Sequence, residues 1–123
     1  MRTILLLLAA SFLNAQTACP TMEVRVGSEK PLLTLGDFTD AKVVAAEGPV
    51  EISVNMTAES AKRVQEFTAS HVRTKMSMVL NGRVISTPTI VDPIRGRSFQ
   101  IGPMSREEAQ RLADAINQKG CRQ

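Results

Sequence analysis

The two cysteines carry the clearest chemical signal in this sequence. Cys19 and Cys121 lie near opposite ends of the 123-residue chain and form no C-x-x-C pair. In an oxidising compartment an even cysteine count favours a disulfide, which here closes a loop of about 100 residues and stabilises by up to about 4–5 kcal/mol. The alternative is a lipid anchor on Cys19, but that processing route prefers a Leu-like residue where this chain has Gln16. We predict the disulfide and disfavour the lipid anchor.

Three further side chains are candidates for contact with a partner. His71 is the only histidine, and no Ser, Cys or carboxylate can be paired with it from sequence, so we expect a packed or partly exposed helix histidine rather than a catalytic one. Arg95 and Arg97 flank Gly96 in a predicted loop and would suit an anion or an acidic partner; a solvated loop is the alternative. We predict His71, Arg95 and Arg97 as partner contacts and no catalytic residue.

Several classes of function are disfavoured by what the sequence lacks. One histidine and two distant cysteines form no metal-ligand cluster. No P-loop, G-x-G-x-x-G or G-x-S-x-G motif is present, so we expect no cofactor and no enzymatic activity. The formal net charge is only +3 and the chain has no Trp or Tyr, which argues against nucleic-acid binding. Glu107 and Glu108 are adjacent on a predicted helix and do not face each other.

The N-terminus has the pattern of a signal peptide. Arg2 supplies a positive start, residues 4–13 are apolar except for Ser11, and Ala15 is a small residue at the expected cleavage position. The apolar run is too short to cross a bilayer. We therefore predict a signal peptide at residues 1–15, a single domain at residues 16–123, no transmembrane span, and a periplasmic or secreted location. A buried N-terminal helix or strand is the alternative interpretation.

Alternating apolar residues predict strands in the first half of the chain. Met22, Val24 and Val26 alternate with polar residues, which is the period of a half-buried strand. Residues 32–35 are expected to be extended, residues 37–40 to form a short helical turn, and residues 42–46 and 51–56 to form two more strands. Thr57 is then a predicted N-cap for a helix that continues to about Arg73. The stripe expected on its buried side comprises Ala61, Val64, Phe67 or Thr68, and Val72, with His71 beside it.

A hairpin is predicted around Asn81-Gly82, which is the strongest short-range signal for a type I′ turn. The predicted register places Leu80 opposite Arg83, Met78 opposite Ile85 and Met76 opposite Thr87. Met76, Met78, Leu80 and Ile85 should then share the core face.

The last part of the chain completes the predicted architecture. Phe99 and Ile101 alternate with polar residues in a further strand, and Ser105 with Glu108 forms a capping box for a final helix. That helix has an apolar stripe of Ala109, Leu112, Ala113 and Ile116, with Gly120 expected at its C-terminal end. The predicted fold is α+β: a two-layer sandwich in which two amphipathic helices cover one face of a mainly antiparallel sheet.

Two segments of the sequence resemble a known family. They are VLNGRVISTPTI and IRGRSFQIGPMSREEAQRLADAI. Together with DFTDAKV and FTASHV upstream, they are similar to the periplasmic head subdomain of the SecD or fused SecDF subunit of the protein-export translocase. The similarity covers about residues 32–120. The resemblance implies the head fold and a partner that is a protein or an unfolded polypeptide.

The sequence departs from the family pattern in two respects. The family usually has glycine after the His-Val pair, where this chain has Arg73, so the exit from that helix is expected to differ. SecD also carries transmembrane helices, and we predict none here. The resemblance therefore implies a binding module without a translocation motor. The alternatives are a structural or self-associating envelope domain and, with less support, a hydrolase with an unrecognised site.

The predicted disulfide can be tested by mass spectrometry of the exported protein without reduction. We expect a peptide pair linked through Cys19 and Cys121, and a stability loss on Cys121→Ser that approaches the loop-entropy value of about 4–5 kcal/mol. A diacylglycerol adduct on Cys19 would instead establish the lipid anchor and exclude this pairing.

Overall fold

The computed structural model describes residues 19–27, 30–44 and 48–118, in which seven strands and two α-helices are present. In chain order the elements are β1 (Met22–Arg25), β2 (Leu33–Thr34), a 3₁₀ turn (Leu35–Asp37), β3 (Phe38–Val44), β4 (Val50–Met56), α1 (Ala58–Ala69), β5 (Ser77–Leu80), β6 (Arg83–Ser86), β7 (Ser98–Met104) and α2 (Arg106–Gln118). The predicted signal peptide at residues 1–15 lies outside the described residues.

The α+β class, the antiparallel pairing and the two helices are confirmed, but the strands divide between two sheets. One sheet has the order β2-β1-β5-β6 and the other has the order β3-β4-β7. Every strand pair is antiparallel. The division arises at the 3₁₀ turn Leu35–Asp37, which redirects the chain from β2 into β3. The helical turn predicted at residues 37–40 therefore begins two residues earlier and ends three residues earlier, and Phe38 already belongs to a strand.

A single hydrophobic core joins the two sheets and both helices. The central strand β4 alternates strictly, with Val50, Ile52, Val54 and Met56 at most 1% exposed. Both helices pack against β4, and α2 also packs along β3. The predicted stripe of α2 is buried in full, together with Ala115. Burial of an Ile or Leu side chain contributes about 1.5–3 kcal/mol, so this shared core is the main source of stability.

Helix α1 begins as predicted and ends four residues early. The Thr57 hydroxyl accepts a hydrogen bond from the backbone N–H of Ser60 at 3.0 Å, which confirms the N-cap. At the other end, the N–H groups of Ser70 and His71 bond to carbonyls three residues back, and Arg73 has a φ of +79°. That dihedral is incompatible with a right-handed helix. Val72, predicted in the buried stripe, is consequently exposed.

The hairpin turn is confirmed, and part of its predicted register is wrong. Asn81 and Gly82 both have positive φ, 51° and 82°, as a type I′ turn requires. Leu80 lies opposite Arg83 as predicted, but Met78 lies opposite Ser86 instead of Ile85. An irregularity between Met78 and Val79 shifts the pairing by one residue, because a bulge places two residues of one strand against one of the other.

The buried side of the hairpin follows the prediction more closely than its register. Met76, Met78 and Leu80 are all buried, and Ile85 packs against the core while remaining partly exposed. Met76 precedes β5, and its N–H donates to the carbonyl of Pro88, which places it beside Pro88 and not opposite Thr87. The capping box of α2 is confirmed, because Glu108 N–H bonds to Ser105 Oγ at 3.1 Å and Ser105 N–H to Glu108 Oε1 at 3.3 Å. Gly120 lies outside the described residues.

Gly102 in β7 is required by a close backbone approach. Its φ is +144°, and a Cβ placed there would lie 3.0 Å from Cγ of Glu51 and 3.1 Å from the carbonyl oxygen of Val50. The register between β4 and β7 is irregular at this point. The dihedral therefore strains any side chain at this position, and a Cβ would fit only if Glu51 or Val50 shifted by a few tenths of an ångström.

We expect Gly102→Ala to lower the free energy of unfolding by about 1–3 kcal/mol, measured by urea denaturation followed by circular dichroism. Gly36→Ala is the matched control, because Gly36 has open space around its Cα; we expect it to change stability by less than about 0.5 kcal/mol. Equal effects of the two substitutions would contradict the close approach at Gly102.

Candidate functional site

A groove of about 470 Å³ runs between the β1–β2 region and one flank of α1. Its walls combine apolar side chains with three charged ones. The lining residues are Val26, Lys30, Pro31, Leu32, Thr34, Asp37, Arg63 and Phe67. We refer to this as the α1 groove. An apolar cleft with a few convergent polar groups is the usual form of a binding site.

The carboxylate of Asp37 organises one end of the α1 groove. Its Oδ2 accepts a hydrogen bond from the backbone N–H of Thr34 at 2.8 Å. Its Oδ1 accepts from the Ser60 hydroxyl at 2.7 Å and from Nη2 of Arg63 at 3.0 Å. The backbone carbonyl of Asp37 also accepts from the N–H of Thr57 at 3.0 Å. This one residue therefore ties the 3₁₀ turn to the first turn of α1.

The environment of Asp37 lowers its pKa. Partial burial alone raises the pKa, because it penalises the charged carboxylate. The hydrogen bonds from Ser60, Thr34 and Arg63, together with the positive charge of Arg63, outweigh that penalty and hold the pKa below its ordinary value of 3.8. Asp37 is therefore ionised at neutral pH and acts as an acceptor, which does not suit a general acid.

Arg63 connects Asp37 to the chain just before β2. The same Nη2 that contacts Asp37 also donates to the backbone carbonyl of Leu32 at 3.0 Å. Its side chain is 48% exposed, and among the described residues its other N–H groups donate no hydrogen bond. Because Arg63 lines the groove, its remaining donors are available to a carbonyl or carboxylate there.

His71 lies just beyond the C-terminus of α1, adjacent to a residue that lines the α1 groove. Its ring stacks on Phe67, with centroids 3.8 Å apart and planes 8° from parallel. Its Nδ1 lies 2.8 Å from the Phe67 carbonyl and 3.2 Å from Ser70 Oγ. Because a carbonyl oxygen only accepts, Nδ1 carries the proton in this contact. His71 thus caps the end of the helix and orders one wall of the groove.

Arg97 lies beside the start of α1, away from His71 at the other end of that helix. The chain just before Arg95 reaches the last turn of α1, where the Ile94 N–H donates to Thr68 Oγ1 at 2.8 Å. Arg97 Nε donates to the Met56 carbonyl at 2.9 Å, and the Arg97 carbonyl accepts from the Met56 N–H at 2.8 Å. Arg97 also borders a depression on the opposite flank of α1, with Lys62 and Gln65. Arg95 is exposed and makes no hydrogen bond within the described residues. A role for the three residues in partner contact stays a prediction.

The cysteine prediction is only partly within reach of the structure. Cys19 is not a free thiol, whereas Cys121 lies outside the described residues, so their pairing stays a prediction. The adjoining chain is fixed to the hairpin turn, because the N–H of Thr21 bonds to Asn81 Oδ1 at 3.0 Å and the Thr21 carbonyl accepts from the Asn81 N–H at 2.9 Å.

The described residues contain no cluster of metal-ligating side chains. They also contain no helix long and apolar enough to cross a membrane.

Sequence reasoning missed the residues that build the α1 groove. Asp37 had a local signal, since Thr34 and Asp37 have the spacing of a capping box and form one around the 3₁₀ turn. Phe67 was predicted only as part of the apolar stripe of α1, and Arg63 had no local signal. Arg63 lies 26 residues from Asp37, and no pattern within a single element reports a contact over that distance.

Comparison with known proteins identifies the family. A family model described as SecDF, P1 head subdomain, matches residues 12–119. The chain belongs to this family. Its relatives include protein translocase subunit SecDF of Thermus thermophilus, which is 38% identical over 68% of this chain, and SecD of Rhodobacter capsulatus, which is 38% identical over 69%. This chain covers only 12% and 16% of the length of those two proteins.

Solved structures agree with the family assignment. A SecDF structure described as that of a membrane component that enhances protein export superposes with a TM-score of 0.69 at 25% identity, over 80% of this chain and 62% of the other. SecDF in a super-membrane-facing form gives a TM-score of 0.68 at 25% identity, over 78% of this chain and 18% of that one. The two antiparallel sheets and two helices are therefore those of the SecDF P1 head.

We expect Asp37→Asn to lower the free energy of unfolding at pH 7 by about 2–3 kcal/mol, because a charge-assisted acceptor of three donors is replaced by a neutral amide. Since the pKa of Asp37 is lowered on folding, its contribution is fully present above pH 3.8 and is lost as the pH falls through the folded value. The difference between the wild type and the variant, measured by urea denaturation, should therefore shrink below about pH 4.

The matched control is Asp40→Asn. Asp40 accepts from Nδ2 of Asn55 at 3.0 Å on an exposed strand position, and an amide oxygen can still accept there. We expect a change within about 0.5 kcal/mol. A loss of unfolding free energy for Asp37→Asn that stays constant down to pH 2 would contradict a stabilising role of the ionised Asp37 carboxylate.

Proposed function

We propose that this chain is an exported, non-enzymatic binding module of the bacterial cell envelope that contacts polypeptide chains or an envelope protein. The observation that carries the proposal is the SecDF P1 head fold combined with the α1 groove. The proposal goes further than family membership, because this chain covers a small part of its relatives' length.

The chemistry of the α1 groove suits a polypeptide. Val26, Leu32 and Phe67 offer apolar surface for a side chain of the partner. Arg63 offers N–H donors to a backbone carbonyl, and it is held in place through Asp37 and the Leu32 carbonyl. This pairing of apolar contact with backbone recognition needs no specific partner sequence, as a module that meets many extended chains requires.

The predicted location follows from the N-terminal pattern. A signal peptide at residues 1–15 would direct the domain to the periplasm or beyond, where the Cys19–Cys121 disulfide would be stable. Both features remain part of the proposal.

A photo-crosslinking amino acid placed at Lys30, an exposed residue that lines the α1 groove, tests the proposal in living cells. We expect crosslinks to secretory chains or to an envelope protein, because Lys30 is exposed and lies beside the apolar walls of the groove. The same amino acid at Arg111 is the matched control, because Arg111 is exposed on α2 and does not line the groove. Crosslinks only to second copies of this chain would support the self-associating alternative, and equal yields at both positions would exclude the groove.

A further inference from the structure

Arg73 occupies a backbone conformation that is unfavourable for its side chain. Its φ is +79°, a region that glycine adopts freely and that side chains with a Cβ rarely adopt. The turn is held by the Arg73 N–H, which donates to the Ile90 carbonyl at 2.6 Å, and by the Thr74 N–H, which donates to the His71 carbonyl at 3.1 Å. Glycine would relieve the conformation without altering either bond.

No contact within the described residues accounts for an arginine at this position. The Arg73 side chain is exposed and takes part in none of the ion pairs or side-chain hydrogen bonds of the described residues. Residues in sparsely populated conformations cluster at functional sites, where the strain is offset by a role. The surface around Arg73 is therefore a candidate for such a role.

Arg73 belongs to a short two-stranded ladder that continues the β5–β6 hairpin. We call residues 73–76 and 88–91 the 73–91 ladder. The Ile90 N–H donates to the Thr74 carbonyl at 2.9 Å, the Met76 N–H donates to the Pro88 carbonyl at 2.8 Å, and Lys75 forms a bridge with Thr89. In an antiparallel pair of this kind the backbone groups of Thr89 point away from residues 73–76.

The outer side of the 73–91 ladder is an open strand edge. It continues β6, which is the last strand of its sheet. Within the part of the chain that the structure describes, the N–H groups of Thr87 and Thr89 donate no hydrogen bond. Thr87, Thr89 and Val91 are exposed while Ile90 is buried, so the segment keeps the alternation of a strand. An edge of this kind is a template for a further strand.

The charges around this edge are mainly positive. Arg73 and Lys75 lie on the inner strand of the ladder, and Arg95 lies in the loop that follows it, against one acid, Asp92. None of these four side chains forms an ion pair within the described residues. An acidic segment would meet unpaired cations here, whereas a basic one would be repelled.

We propose that the 73–91 ladder binds an extended acidic segment of a polypeptide by strand addition beside Thr87–Val91. The added backbone pairs with Thr89, and its carboxylates pair with Arg73 and Lys75. Those two residues lie two strand spacings away, about 10 Å, which long cationic side chains and a Glu span together. This inference rests on the proposed function, since it names the class of polypeptide and the edge that receives it.

The test uses fluorescence anisotropy with the mature protein and a labelled decapeptide of alternating Thr and Glu, beside its Thr-Lys counterpart. We expect the acidic peptide to bind and the basic peptide not to bind, with binding that weakens as salt rises. Arg73→Gly should weaken the binding of the acidic peptide by about two- to fivefold. The melting temperature of the variant should rise by about 2–6 °C, because the backbone strain is relieved. Arg111→Ala, which removes an exposed charge on α2, is the matched control and should change neither value.

A second variant separates backbone pairing from charge. Thr89→Pro removes an N–H that makes no bond within the described residues, so the fold should persist while binding of the acidic peptide is lost. If the wild type does not bind the acidic peptide, or binds it no more tightly than the basic one, this inference is overturned, while the proposed function is judged separately by crosslinking at the α1 groove. If the acidic peptide binds and neither Arg73→Gly nor Thr89→Pro weakens it, the proposed function survives and only the 73–91 ladder is excluded.

Discussion

The hydrogen bonds that converge on Asp37 are the constraint on which the relative placement of the elements depends. The residue stands where the chain leaves one sheet for the other, and its carboxylate closes the 3₁₀ turn through the N–H of Thr34. The same carboxylate receives Ser60 and Arg63 from α1. A half-buried carboxylate is costly unless its oxygens are occupied, so the 3₁₀ turn and the first turn of α1 stabilise each other. These bonds, together with the burial of Val64 in the core, hold α1 in the position that forms the α1 groove.

One sheet edge that this arrangement creates is closed by a side chain. The amide of Asn117 donates to the Ala41 carbonyl at 2.9 Å and accepts from the Ala41 N–H at 2.8 Å, so one side chain replaces a neighbouring strand at the outer edge of β3. The opposite sheet ends in β2, which is only two residues long. At the start of β6, Arg83 is paired with Glu108 of α2. Short strands and covered edges are the usual protection of a sheet against pairing with another chain. The edge at residues 87–91 differs, because the N–H groups of Thr87 and Thr89 make no hydrogen bond within the described residues.

Much of the fold was predictable because its signals are local. Asn81-Gly82 defines the hairpin, Thr57 and the Ser105–Glu108 pair define two helix starts, and the alternation in β4 defines its buried face. The register beyond Leu80 was not predictable, because a bulge between Met78 and Val79 depends on packing rather than on turn type. The end of α1 was misplaced because apolar spacing continued to Val72 although the backbone turns at Arg73.

The site was far less accessible to sequence reasoning than the elements. His71 was singled out as an isolated residue, whereas in the structure its ring stacks on Phe67 and its Nδ1 contacts the Phe67 carbonyl. The α1 groove is assembled from β1, the chain before the 3₁₀ turn and α1, which no periodic pattern connects. Local sequence patterns therefore predicted the helices and strands, whereas the groove depends on contacts between distant residues such as Asp37 and Arg63.

Two residues with positive φ show how the same backbone feature can have different causes. At Asn81 the conformation is explained inside the molecule, since a type I′ turn requires it and the side chain accepts a hydrogen bond from Thr21. At Arg73 the turn is equally fixed by backbone bonds, but the side chain adds none. The backbone at Arg73 adopts the conformation that suits glycine. The side chain therefore adds nothing to the fold that the described residues show, and it contributes a positive charge to the surface beside the open edge.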